Sequence, residues 1–268
     1  MCGLLVKTAH KQTANLFIMP RYFLEVSYKG NNYSGFQKQD NANSVQEEIE
    51  KAFAVFFRSN FVMTCSSRTD TGVNALQNFL HFDFTGEINQ DSLYHINAIL
   101  PADIVVKNIH IVRSDAHCRF DAISREYKYY IYRKKNPFLL DRAHFYPYTL
   151  DLEKLQEAAE KILSYSDFIT FSKRRTQVKT FECTILKTGW VQESDCFVYY
   201  VQANRFLRGM VRGLVGTMLH VGRNKMSVKQ FENIIRSGDA SKADFAVPGY
   251  GLFLVKVNYP ENYFDLRH

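Results

Sequence analysis

The chain has 268 residues, of which 46% are hydrophobic and 23% charged, a balance typical of globular proteins with one large or two ordinary domains. No apolar run approaches the roughly 20 residues that span a bilayer, so we expect no membrane partner. Lysine and arginine number 34 against 27 aspartates and glutamates, a net charge of +7. That charge is compatible with a plain basic surface or with a polyanionic partner.

The cysteines and histidines indicate a reducing compartment and no metal site. Five cysteines are odd in number and include no C-x-x-C pair, which makes a disulfide framework or a zinc ribbon improbable. Eight histidines show no metal-ligand spacing. We therefore expect a cytoplasmic protein without a metal ion.

The first part of the chain alternates predicted strands and helices. A capping box formed by Ser44 and Glu47, followed by apolar residues at helical spacing, predicts the first helix. In chain order the predicted elements are strand 21–30, helix 44–57, strand 78–84, a helix ended by Pro101, and strand 104–112.

The second part repeats this rhythm: strand 124–134, helix 151–163, strand 197–203, helix 206–221, a helix opened by Ser227, and strand 251–260. This order predicts an α+β fold of two similar halves, 21–112 and 113–268, after a loosely held tail over residues 1–20. Helices should cover one side of an antiparallel sheet and leave its other face free.

The stretch "SRTDTGVNA" contains an Asp-Thr-Gly triplet at Asp70 that has three interpretations. An aspartic protease needs two carboxylates that share a proton, whereas one triplet and the nearby Arg68 favour an ionised carboxylate. Asp70 is alternatively a turn residue before Gly72. The third interpretation is a carboxylate held ionised by arginine for chemistry.

Two arginine-containing segments indicate a nucleic-acid site. In "SREYKYYIYRK", strand alternation places Arg125, Tyr127, Tyr129 and Arg133 on one face, as in sites that stack an unpaired base and hold its phosphate. The alternative is a tyrosine-rich part of a core sheet. We expect several of these arginines to contact phosphates: Arg68, Arg125, Arg133, Arg205 and Arg208.

The second segment, "ANRFLRGMVRG", carries Arg205, Arg208 and Arg212 at helical spacing. Such a run is often only a solvated helix face. Arg212, however, lies among apolar residues, where a buried guanidinium needs an anionic partner.

Several motifs occur in one order along the chain: "SYKGNNYSGFQKQ", "SVQEEIEKA", "SRTDTGVNALQNFLHFD", "INAILPADI", "AHCRFDAISREYKYYIY", "ANRFLRGMVRGLVG" and "GLFLVKVNYP". In their order and spacing the sequence resembles the tRNA pseudouridine synthase A family from about residue 21 to residue 260. The most specific motif is Arg-Thr-Asp-x-Gly-Val at residues 68–73.

The resemblance implies roles for individual residues. Asp70 matches the catalytic aspartate, Tyr127 the tyrosine on the target base, and Arg212 the arginine that pairs with the carboxylate. Arg68 matches a second active-site arginine, and Arg205 and Arg208 join it as substrate-binding candidates. Gly251 and Leu252 match the segment that lines the pocket.

The resemblance also implies a fold and an activity. The expected fold has two ferredoxin-like halves joined through a continuous antiparallel sheet, with helices on one side and a basic catalytic cleft on the other. The expected activity, in a homodimer without cofactor or metal, is conversion of uridine to pseudouridine at tRNA positions 38 to 40. The nucleophile attacks either C1′ or C6, and we expect Tyr127 both to stack and to assist proton transfer from C5.

The sequence departs from the family pattern in places that concern the choice of uridine rather than the reaction. Asn74 stands where histidine is usual, Phe36 where tryptophan is frequent, and Ser66 replaces a common glycine. Residues 164–173 follow the usual pattern loosely. The alternative function is a binding module that keeps the tRNA cleft without catalysis.

Overall fold

The computed structural model describes residues 19–173 and 178–265. Residues 1–18 of the predicted tail lie outside these ranges. The elements of the first part are β1 (Arg21–Tyr28), α1 (Val45–Phe57), β2 (Thr64–Cys65), β3 (Asn74–Asp83), α2 (Gln90–Ile99) and β4 (Ile104–Val112).

The second part supplies β5 (Ser124–Tyr132), β6 (His144–Phe145), α3 (Leu152–Ile162), β7 (Ile185–Glu193), β8 (Cys196–Ala203), α4 (Met210–Gly222), α5 (Val228–Arg236) and β9 (Leu252–Asn258). The sequence analysis missed β2, β6 and β7. It also began α4 four residues early, because Gly209 caps the helix in the left-handed region at φ 76°.

Side-chain caps explain where two of the helices begin. Ser44 accepts a hydrogen bond from the amide of Glu47, as predicted for α1. At α5 the capping box is complete, because Ser227 and Gln230 each bond the other's backbone amide.

The nine strands of residues 19–173 and 178–265 form one sheet, in the main order β4-β1-β3-β9-β5-β8-β7. The last strand of the chain, β9, pairs parallel with β3 of the first part and antiparallel with β5 of the second. The α+β class and the continuous sheet are confirmed. The sheet is mixed rather than wholly antiparallel, since its two parts meet through the parallel β3–β9 pairing.

Two hydrophobic cores stabilise the two parts of the sheet. Phe53 of α1 and Leu24 of β1 belong to the first core, and Leu155 of α3 and Leu214 of α4 to the second. The opposite face of the first part is not free, because the rings at 259–264 pack against Phe23. Burying rings on both faces makes this part of the sheet an interior layer.

The loop at residues 69–73 lies between two close backbone neighbours. A Cβ atom added at Gly30 would lie 2.1 Å from the Val73 carbonyl oxygen, and one added at Gly249 would lie 2.2 Å from that of Thr71. The buried Asn74 side chain links the two neighbouring segments. It accepts a hydrogen bond from the Gly30 amide at 2.9 Å and donates one to the Tyr250 carbonyl at 2.8 Å.

We predict that Asn74→Ala destabilises the protein and loosens the 69–73 loop. Two backbone groups lose their partners, and each lost bond costs about 1–3 kcal/mol when the remaining group stays buried. Amide hydrogen exchange of residues 72 and 73 should become faster. Asn97→Ala is the matched control, because Asn97 also bonds two backbone groups, both of Val106. Equal exchange in the two variants would contradict the prediction.

Candidate active site

Asp70 occupies a tight turn that is fixed to its neighbours by backbone bonds. Its carbonyl accepts a bond from the Val73 amide at 3.1 Å, and the Thr69 carbonyl accepts one from the Phe36 amide at 3.1 Å. Gly72 adopts φ 76°, which the turn requires. Asp70 is therefore a turn residue as well as a candidate for chemistry, and the turn leaves its carboxylate partly exposed.

Among the described residues, three cations surround the Asp70 carboxylate. Arg212 Nη1 lies 3.5 Å and Lys173 Nζ 3.8 Å from Oδ2, and Arg208 Nε lies 4.0 Å from Oδ1. In the part of the chain that the structure describes, no hydrogen bond joins Asp70 to a second carboxyl group, so the site does not resemble a proton-sharing carboxylate dyad. One carboxylate among three cations leaves a local surplus of positive charge, which favours an anionic substrate.

Arg212 is fixed in place by backbone carbonyls as well as by the carboxylate. Its Nε donates to the Val247 carbonyl at 2.8 Å and its Nη2 to that of Phe245 at 3.4 Å. The side chain is only 15% exposed and lies in the first turn of α4. These bonds satisfy the buried guanidinium and direct its remaining nitrogen to Asp70.

Lys173 is the functional candidate that the sequence analysis missed. Its amide donates to the Arg208 carbonyl at 3.0 Å, and a Cβ added at Gly209 would meet its aliphatic stem at 3.0–3.2 Å. The stem thus lies over Gly209 and carries the ammonium to Asp70. No local pattern marks Lys173, because its partners lie far away along the chain.

Tyr127 lies on β5 near the same carboxylate. Its ring packs edge-to-face on Phe206, with 5.0 Å between centroids. Burial raises the pKa of Tyr127 to about 12, with the charge of Asp70 acting in the same direction and that of Arg125 against it. The hydroxyl is therefore protonated at neutral pH.

Leu252, another predicted site residue, is buried on β9, where it is paired with Tyr129 of β5. It therefore lies on the strand next to the one that carries Tyr127.

The other predicted arginines occupy different positions. Arg68 is exposed, with its guanidinium beside the Cys65 thiol, and Arg205 lies near Cys183. No contact of either with Asp70 occurs among the described residues. Arg133 donates to the Thr149 hydroxyl at 3.3 Å.

The prediction that Arg125 contacts phosphate is wrong. Arg125 is 9% exposed, and its guanidinium donates to the carbonyls of Ala122, Asn204 and Arg119. The alternation of β5 places it on the expected face, but that face is packed at this position.

The helices of the second part contribute to the site. Tyr129, on the same face of β5 as Tyr127, packs in the core formed with α3, α4 and α5. Arg212 comes from the first turn of α4. The N-terminal end of α4 therefore provides one of the cations that pair with Asp70.

One group of possible metal ligands, His81, His117 and Cys118, occurs among the described residues. His117 Nδ1 accepts bonds from the amides of Arg119 and Phe120, so its proton lies on Nε2 and neither nitrogen offers a free lone pair. His81 Nδ1 lies 3.1 Å from the Cys118 thiol. Hydrogen bonds account for this cluster, and the absence of a metal remains a prediction.

A carboxylate paired with cations beside an aromatic ring is compatible with an anionic, aromatic substrate. Comparison with known proteins identifies the class. The model of the tRNA pseudouridine synthase family matches residues 25–121 and 158–260. The chain belongs to the tRNA pseudouridine synthase family, whose members are isomerases.

Named relatives cover nearly the whole chain. The tRNA pseudouridine synthase A of Parabacteroides distasonis is 44% identical over 93% of this chain and 100% of its own length. The protein of the same name from Bacteroides fragilis is 44% identical over 91% and 98%, and that from Staphylococcus aureus 35% identical over 90% and 92%. Among the described residues, no helix is long and apolar enough to span a membrane.

We predict that Lys173→Met and Arg212→Met differ in stability. Arg212→Met leaves two carbonyls without donors and should destabilise the fold by about 1–3 kcal/mol. Lys173→Met removes only one of three clustered cations and should unfold at the wild-type temperature or slightly above it. Differential scanning calorimetry compares the two variants, and an equal loss in both would contradict the distinction.

Proposed function

We propose that the protein isomerises uridine to pseudouridine at positions 38 to 40 of the tRNA anticodon stem-loop, with Asp70 as the nucleophile and no cofactor. The observation that carries this proposal is the Asp70 carboxylate paired with three cations at the site of a family member. The cations attract the RNA backbone.

The reaction requires a nucleophile that holds one fragment while the other turns. The bond between N1 and C1′ breaks, the uracil rotates, and a bond between C5 and C1′ forms; C5 loses a proton and N1 gains one. An ionised carboxylate attacks C1′ or C6 and is released at the end, so the composition of the nucleotide is unchanged. The target must first leave the base stack, at a cost of a few kcal/mol.

Tyr127 is suited to receive the flipped base and to pass on a proton. Its ring is held by Phe206, and stacking on a base contributes about 1–3 kcal/mol. Because its pKa is raised to about 12, the hydroxyl enters the reaction protonated. It accepts the C5 proton only by giving up its own, and the nearby Asp70, once released, is a suitable acceptor.

The homodimer that the resemblance implies and the cytoplasmic location that the cysteines indicate belong to the same proposal. Sedimentation equilibrium of the purified protein tests the homodimer. A monomer at micromolar concentration would remove that part of the proposal and leave the catalytic part intact.

Asp70→Asn should abolish pseudouridine formation while tRNA affinity stays within a few-fold of wild type. One carboxylate performs the covalent step, whereas many cations bind the RNA. Nucleoside-specific labelling of purified tRNA after incubation measures the product at each position. Asp195→Asn, in the turn between β7 and β8, is the control and should behave as wild type. Substantial turnover by Asp70→Asn would exclude the nucleophile, and an inactive wild-type protein that still binds tRNA would indicate a binding module.

Tyr127→Phe and Tyr127→Ala separate stacking from proton transfer. If the hydroxyl relays the C5 proton, as we propose, Phe should slow the single-turnover reaction by about 10²–10⁴-fold, the usual contribution of a positioned acid–base group. Tyr127→Ala should lose stacking as well. A Phe variant with a near-normal rate would leave Tyr127 with a stacking role alone.

A further inference from the structure

An exposed aromatic ring lies in the turn that precedes β5, the strand of Tyr127. Phe120 is 73% exposed, in the turn at residues 117–121 that leads toward β5. Its ring is held on one side by His117, with 4.2 Å between centroids, and the Arg119 guanidinium lies 5.7 Å from its centroid. A single exposed phenylalanine is common, but an exposed ring that packs against an imidazole and has a guanidinium nearby is suited to stacking on a base.

The turn that carries Phe120 is rigid. His117 Nδ1 accepts bonds from the amides of Arg119 and Phe120 at 3.1 and 3.4 Å. The Asp121 carboxylate accepts a bond from the His117 amide at 3.0 Å. Burial lowers the pKa of His117, which keeps the imidazole neutral and its Nδ1 able to accept. Little conformational freedom is left to lose when a ligand binds this ring.

Arg125 connects this turn to the active site. Its Nη2 donates to the Arg119 carbonyl, and its Nη1 donates to those of Ala122 and Asn204, both at 3.0 Å. Arg125 and Tyr127 lie two residues apart on the same face of β5, about 6.5 Å along the strand. The buried guanidinium therefore holds the Arg119–Phe120 turn beside the strand position that carries Tyr127.

The charge around the turn indicates what kind of ligand it binds. Burial raises the pKa of the Cys65 thiol, and the charges of Arg68 and Arg119 both act against that rise, so the two guanidinium groups share one neighbourhood. Arg68 is exposed and lies two residues before Asp70. An exposed ring among unburied cations fits a base and its phosphate better than an apolar peptide segment.

We propose that Phe120 and Arg119 form a second nucleotide-binding position, where Phe120 stacks on an unpaired base that neighbours the flipped target and Arg119 binds its phosphate. This position rests on the proposed function, in which the substrate is RNA. Flipping one nucleotide exposes the faces of its neighbours, and a prepared ring offsets part of that unstacking.

Binding of two RNAs to two Phe120 variants tests the stacking. Phe120→Ala should weaken the Kd for tRNA about 5- to 150-fold, whereas Phe120→Trp should bind like wild type. Neither variant should change the Kd for a fully paired RNA duplex, which presents no open base. Tyr94→Ala, which removes a 75% exposed ring from α2, is the control and should leave tRNA binding unchanged.

The salt dependence of binding tests the phosphate contact. Arg119→Gln should reduce the slope of log Kd against log salt by about 0.7–0.9, the value for one lost phosphate contact. Arg236→Gln, which removes a cation paired with Glu232 on α5, should leave the slope unchanged. An unchanged slope in Arg119→Gln would overturn the phosphate contact.

Other outcomes are equally decisive. Wild-type tRNA affinity in Phe120→Ala, or an equal loss for the paired duplex, would overturn the stacking position. A changed sedimentation mass in Phe120→Ala would assign the ring to contact with a second copy and overturn it too. If the wild-type protein forms no pseudouridine but Phe120→Ala still weakens tRNA binding selectively, the proposed function fails and this inference stands.

Discussion

The two hydrogen bonds of the Asn74 carboxamide determine where the active-site loop lies. They join the Gly30 amide of the first part of the chain to the Tyr250 carbonyl of the second, at the strand where β3 pairs with β9. Asp70 belongs to the first part, and its three cations belong to the second. The site therefore forms only when the two parts of the sheet are joined.

The charges at this site come from both parts of the sheet, which this junction brings together. Two backbone carbonyls already satisfy much of the Arg212 guanidinium, so its burial does not depend on Asp70 alone. The carboxylate offsets one of three positive charges. An RNA phosphate is suited to offset the others, and its approach would exclude water and strengthen every remaining interaction.

The arginines of this basic protein differ in burial and in hydrogen-bond partners, and their positions in the sequence do not predict these differences. Arg125 is buried and donates hydrogen bonds to three backbone carbonyls. Arg212 donates hydrogen bonds both to backbone carbonyls and to the Asp70 carboxylate. Arg208 is mostly exposed beside Asp70, and Arg119 lies against an exposed ring. A net charge of +7 is compatible with a polyanionic partner, but burial decides which of these guanidinium groups can contact one.

The sequence by itself determined what depends on neighbours in the chain. Ser44 and Ser227 cap the helices that their spacing predicts, and the apolar surroundings of Arg212 indicate a partner for its charge. The ordered motifs indicated the family, which the comparisons then showed.

Only the tertiary structure decided the parallel β3–β9 junction, the burial of Arg125 and the approach of Lys173 to Asp70. These features join segments about 80 to 180 residues apart in the sequence, where no periodicity or cap relates one partner to the other. These features are stabilised by packing and hydrogen bonds that exist only after the sheet has formed. The local pattern of residues therefore does not predict them.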